Sequence, residues 1–277
     1  VRPITDGVFV GLMWDRTHST VTLPETVLEQ WGRSYEEVYA TALENLSAMP
    51  MVGWAGSDDR VFRLIAGDDY VSARLLTRAA FDRLPFSGDI VVCAPTRADL
   101  FVAAVDDPQG LVDVLEASIR ASRAGSVLSL RPLRFGGGTW SHLHLEPDHP
   151  AYLAWRMLTR LDWAHEADRT RSLLQALVGN GMFVGSLIVR EDESTGITDT
   201  VSVWSEGVPA LLAAADLVSF PRSDRDAGFV TAPWSRVVDV LSDQMTPTDH
   251  YPERWLIESF PTDAQLAELA APGRSIS

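Results

Sequence analysis

GDIVVCAPTRADLFVAAVDDPQGLVDVLEASIRASRA, residues 88–124, changes its periodicity part-way along. Two short apolar runs flank a turn at Pro95, as expected of two strands joined by a loop. After Pro108 the apolar positions shift to Leu111, Val114, Leu115 and Ile119, three and four apart, which predicts a helix over 108–124 with one inward face. Strand, strand and helix in that order lack the strict βαβ rhythm of a parallel sheet. The stretch therefore predicts an α+β protein, with mixed or antiparallel sheets and packed helices.

The flanking sequence fits that class. Residues 8–14, VFVGLMW, read as a strand, and a short helix runs from near Pro24 to Gly32. In SYEEVYATALENLSAM, Ser34 and Glu37 have capping-box spacing, which predicts a helix over 34–49. VFRLIAG predicts a strand, YVSARLLTRAAFDRL a helix ended near Pro85, and SVLSLRPLRF a strand. Helical material follows over 150–178, then a hairpin across the ESTG turn, a helix around PWSRVVDVLSDQM, a strand at RWLIESF and a last helix from Thr262.

Three glycines in FGGGTW, residues 135–140, break any regular element, so they mark the expected boundary between an N-terminal half, 1–137, and a C-terminal half, 138–277. One continuous domain is the alternative. The halves echo each other: VCAPTRADLFVAAV before PQGLVDVLEASI resembles GVPALLAAADLVSF before APWSRVVDVLSDQM. Duplication and chance similarity between alanine-rich segments both account for the echo.

Composition excludes several chemistries. All 23 basic side chains are arginine, against 38 acidic ones, for a net charge of −15. Without lysine there is no Schiff base to pyridoxal phosphate and no phosphate-binding lysine of the Walker or kinase type. The single cysteine, Cys93, allows no intrachain disulfide and no cysteine-rich metal centre, and its apolar surroundings make it a buried thiol. Excess acid repels phosphate backbones, so no nucleic acid is expected; an acidic surface suits plain solubility or a basic protein partner equally well. No run approaches the ~20 apolar residues of a membrane span, and VRPITDGVFV lacks the charged start of a signal peptide. A soluble, cytoplasmic protein with no membrane association is expected. Nine tryptophans and ten phenylalanines supply a core, and the tryptophans are read as packing anchors.

One stretch offers a reaction centre. HLHLEPDHP, residues 142–150, places His142, His144 and Glu146 on one side of a strand, with Leu143 and Leu145 on the other. With His149 beyond Pro147, this set could ligate zinc or iron and leave positions open for water or substrate, as a metal-dependent hydrolase or oxygenase requires. The alternative is an edge strand with one polar face, ended where Pro147 and Pro150 forbid further ladder bonding. The cupin histidine motif is incomplete, DRDAG holds only a fragment of a calcium loop, and no nucleophile elbow exists.

Several segments carry a family likeness. LPETVLEQWGRSYEEVYATALENL, YVSARLLT, GDIVVCAPTRADLFVA and VSVWSEGVPALLAAADLVSF occur in this order, and the chain resembles the YtpQ-like family of uncharacterised bacterial proteins. Trp31, then Ala42, Glu44, Asn45 and Leu46, then Pro95, Arg97 and Leu100, then Leu211, Leu212, Ala215 and Asp216 carry the likeness. It spans 20–220, most clearly 23–105, and departs at Ala213 and Ala214, where the family has proline. The resemblance implies a soluble bacterial fold and no catalytic residue. Arg97 beside Asp99 suits a loop-anchoring fork or a ligand-binding arginine, and Asp216 is its counterpart in the second half. The residues together predict a non-catalytic, protein-binding or regulatory module with an acidic surface.

Overall fold

The computed structural model describes residues 1–16, 19–222 and 229–271. The described residues form an α+β protein of six α-helices and eighteen strands, in antiparallel and mixed sheets. DRDAG lies outside them. The chain divides into two compact units, Val1–Leu158 and Thr159–Ser277.

The first unit opens with two small hairpins, β1 (Arg2–Thr5) with β2 (Val8–Val10) and β3 (Met13–Arg16) with β4 (Ser19–Thr22). The single strand expected over 8–14 is thus two, separated at Gly11 and Leu12. Helices α1 (Glu25–Gln30) and α2 (Tyr35–Ala48) follow, and the reciprocal box between Ser34 and Glu37 starts α2 as the spacing predicted. Strands β5 (Met51–Ser57), β6 (Val61–Ala66), β7 (Ile90–Cys93) and β8 (Phe101–Ala104), helix α3 (Pro108–Ala124), and strands β9 (Leu133–Gly136) and β10 (Thr139–His142) complete its sheet. The order is β10-β9-β7-β8-β6-β5, antiparallel throughout. Gly137 and Gly138 take positive φ in the β9–β10 turn, and so the glycine run turns a hairpin inside the first unit.

Both faces of the central strands are covered, which explains why their apolar runs are continuous. Ile90, Val92, Leu100 and Val102 join a cluster with Leu64, Val71 and Leu84, while Leu111, Val114 and Leu115 of α3 are fully buried. Cys93 is buried beside Ser118, and desolvation pushes its thiol up to about 12, so it stays protonated and inert.

The helix expected over 70–84 is absent. Two 3₁₀ turns, Ser72–Leu76 and Arg78–Ala80, meet at an extended Thr77. The buried Arg74 guanidinium leaves this segment to donate to the carbonyls of Leu46 and Met49 at the end of α2 and to Asp68. Those tertiary bonds override the local periodicity. The strand expected over 126–135 shrinks to β9 and one bridge at Val127, because Pro132 has no amide to give a ladder.

Helix α4 (Tyr152–Val178) begins in the first unit and continues into the second. Strands β11 (Phe183–Val184), β12 (Leu187–Glu191), β13 (Thr198–Val203), β14 (Ala210–Ala213), β15 (Leu217–Pro221) and β16 (Phe229–Pro233) follow, then α5 (Trp234–Leu241), β17 (Met245–Pro247), β18 (Arg254–Ile257) and α6 (Asp263–Ala270). They make two mixed sheets, β11-β14-β18-β17 and β12-β13-β15-β16. The segments that echo one another therefore differ in topology: β7 and β8 pair directly, whereas β14 and β15 lie in different sheets. Trp204, Leu212, Phe220, Leu241 and Ile257 centre the core.

Arg254 is fully buried in this unit. Its Nη atoms donate to the carbonyls of Gly185 at 2.7 Å and Ala167 at 2.8 Å, and to Leu211 at 3.4 Å, joining β18 to α4, β14 and the β11–β12 connection. Burial and the nearby Arg171 charge lower its pKa from the usual arginine value. Arg254→Met keeps the aliphatic stem and removes every donor, which should destabilise the protein by roughly 3 kcal/mol. Urea unfolding checks this; a midpoint equal to the parent's shows that the fork is dispensable.

Candidate functional site

The histidine stretch keeps its predicted alternation, and its polar side chains point outward without meeting at one point. β10 ends at His142, yet His142, His144 and Glu146 stay exposed while Leu143 and Leu145 are buried. Each polar group is engaged locally. His142 Nε2 lies 2.7 Å from the Asp6 carbonyl oxygen, which can only accept, so the ring donates there and holds the β1–β2 turn. His144 Nε2 is 3.4 Å from Glu146 Oε1, and its ring meets Trp155 edge-on. His149 Nδ1 accepts from the Ala151 amide at 3.1 Å, shaping the entry to α4. Trp155 Nε1 donates to the Leu143 carbonyl at 2.9 Å. Among the described residues, no three histidine, cysteine, aspartate or glutamate side chains are grouped to hold a metal ion.

Arg97 and Asp216 have unlike surroundings. Asp99 pairs with Arg63 at 2.8 Å and accepts from the Thr96 hydroxyl at 2.6 Å. Arg97 is exposed, with Nη2 3.3 Å from Met13 Sδ, so in place of the expected fork between Arg97 and Asp99 the carboxylate pairs with Arg63 of a neighbouring strand. Asp216 receives a bidentate fork from Arg160, both bonds 2.7 Å, and accepts from the Thr200 amide and hydroxyl at 2.8 Å. Burial works against its carboxylate, but Arg160 and Thr200 outweigh burial and hold its pKa below the usual 3.8. This geometry makes Asp216 an anchor between α4, β13 and the start of β15.

The exposed aromatic surface was missed in the sequence. All eight residues of β3 and β4 are exposed, including Met13, Trp14 and Val21. Trp14 pairs across the hairpin with Val21, and its ring meets Trp31, the C-cap of α1, edge-on at 5.6 Å. Arg16 stands over the Trp14 ring at 4.5 Å. The two indoles retain 42% and 45% of their exposure despite these contacts. On the other face, Tyr70 donates to Asp15 at 2.6 Å, a bond that with burial drives its phenol up to about 12, and Arg97 reaches Met13. The hairpin is thereby fixed to the unit while its aromatic side stays open. A two-stranded ribbon needs such outside support. Trp14 alternates with the polar Asp15, the same pattern that a core-facing ring gives, so the local sequence does not separate these indoles from buried ones.

Comparison with protein-family models, curated proteins and solved structures finds no match.

Two stability effects follow from the engaged side chains. His142→Ala should cost about 1 kcal/mol by releasing the Asp6 turn, and a chelator should leave the melting temperature unchanged. Stoichiometric zinc or iron, lost when His142 and His144 are both replaced by alanine, would restore the ligand set. Asp216 has a depressed folded pKa, so its contribution is complete above about 3.8 and is lost as pH falls through the lower folded value. Asp216→Asn should therefore cost roughly 2 kcal/mol at neutral pH and flatten the acid limb of the stability curve. Urea unfolding across the acid range would reveal an unaltered limb if the fork has no such role.

Proposed function

We propose that this chain is a non-catalytic, protein-binding or regulatory module that recognises a basic protein segment through the aromatic face of its β3–β4 hairpin. The observation that carries the reading is the open pair of indoles, Trp14 and Trp31, held in place from behind by the Tyr70–Asp15 bond. Tryptophan and arginine dominate the energetics of protein interfaces, and large rings left open to water on a fixed scaffold favour docking. Arg16 over Trp14 gives the geometry in which a partner's cationic side chain would lie on a ring of this surface. A net charge of −15 supports the same partner by drawing basic proteins toward the chain.

Cell location and origin belong to the same reading. No helix among the described residues is long and apolar enough to cross a membrane. The proposed setting is the cytoplasm of a bacterium, where a YtpQ-like protein would act by contact with its partner.

An arginine-rich peptide titrated into the protein and followed by tryptophan fluorescence tests this. Binding should weaken with rising salt, and Trp14→Ala combined with Trp31→Ala should reduce affinity by about 30-fold or more. Equal affinity in parent and double variant removes the aromatic face from the proposed function.

A further inference from the structure

In a chain with 38 acidic side chains and 23 arginines, an arginine seldom lacks a carboxylate. Arg2, Arg33, Arg63, Arg74 and Arg134 of the first unit each pair with one. Arg16 does not. Its neighbour Asp15 is taken by Tyr70, and among the described residues the Arg16 guanidinium forms no ion pair and engages the ring of Trp14, 4.5 Å from the ring centre. The two residues stand two apart on β3, so both side chains rise from the same side of the ribbon. The cation on the exposed indole is thus supplied by the chain itself.

This contact is easily exchanged. Both groups are exposed, and a cation on an indole in water gains about as much as thermal energy, which keeps the ring covered for roughly 70–85% of the time. A partner's cation therefore meets a ring that is mostly occupied, and its apparent affinity falls with the fraction of time the ring is free. The other side chain on Trp14, Trp31, is fixed as the C-cap of α1, whereas Arg16 ends β3 on a long side chain that can swing aside. The chemistry of the ring also selects what replaces it. A guanidinium is planar and weakly hydrated, so it stacks on an indole at little cost in water, while an ammonium keeps its hydration shell. The incoming side chain that best displaces Arg16 is another arginine.

We propose that Arg16 is an internal competitor for the Trp14 ring: it covers the ring in the free chain and yields it to an arginine of the bound partner. The inference rests on the aromatic face being the docking surface, and it adds to that reading the identity of the recognised cation and the residue that governs access to the ring.

Arginine and lysine peptides of equal length and charge, titrated into the full chain and followed by tryptophan fluorescence at low and high salt, test it. Arg16→Gln should bind the arginine peptide about 3- to 6-fold more tightly than the parent does, the gain expected when a ring covered to that extent is freed. The gain should persist at high salt, where screening removes the effect of the lost charge. Arg16→Lys keeps the charge but stacks less well, and its affinity should fall between those of the parent and Arg16→Gln. The arginine peptide should bind more tightly than the lysine peptide throughout. A gain that vanishes with salt reports lost charge alone and overturns the proposal, as does an Arg16→Lys protein that binds like the parent. Weaker binding without Arg16 makes that residue a support of the hairpin or a partner contact, and overturns it too. If the parent binds and neither variant gains, internal competition fails while the docking surface stands; if parent and variants all fail to bind, both readings fall.

Discussion

Backbone carbonyls that end inside a protein must be given donors, and here arginine supplies them in both units. Arg74 serves the last turn of α2 and Arg254 serves α4, β14 and the connection after β11, while at the exposed end of α6 Arg236 donates to the Glu268 and Ala271 carbonyls. At the surface, Arg131 reaches the Asp6 carbonyl of the first hairpin. A guanidinium suits this role because its donors lie in one plane and diverge, so a single side chain reaches carbonyls on several elements. Hydrogen bonds to a charged donor are also the stronger kind, which offsets part of the cost of burying the charge. In a chain without lysine, the forked cation is the only basic side chain available, and it sets where helices may end and which elements meet.

These forks also mark how far the sequence could be read. Local signals were legible: the Ser34–Glu37 box, Asp107 capping α3, and the Thr262–Gln265 box starting α6 each depend on neighbours a few residues away. Signals that depend on distant partners were not. The segment 70–84 has helical spacing, yet Arg74 is drawn to carbonyls 28 and 25 residues away and the helix does not form. Arg97 stands two residues from Asp99, but Arg63, across the β6–β8 pairing, takes the carboxylate. Asp216 finds its fork 56 residues away, in Arg160. Proximity along the chain identified the carboxylates that anchor something and missed which cation each one holds.

The surface was harder to read than the core, because apolar residues signal burial whether they face a core or a partner. Most of the nine tryptophans conform: Trp204 is buried, while Trp54, Trp140, Trp163, Trp234 and Trp255 are partly buried in clusters. Trp14 and Trp31 depart from this, since their hairpin and short helix cover no sheet face that could take the rings in. Fully exposed strands on both sides of a ribbon leave cross-strand and ring-to-ring contacts as the local stabilisation, and these contacts leave much of each indole in water.

The histidine stretch shows why a pattern compatible with metal binding is weaker than a site. Same-face residues on a strand stand about 7 Å apart along the chain, so three of them reach one ion only if their side chains lean together and a second element closes the shell. Here the strand ends at His142, after which Leu143 and Leu145 are drawn into the core and the backbone turns toward α4. Each polar side chain then takes the nearest partner: a turn carbonyl for His142, Glu146 for His144, and a helix-entry amide for His149. The leucines, buried by the hydrophobic effect, set the spacing of this stretch; the histidines between them occupy the positions left outside.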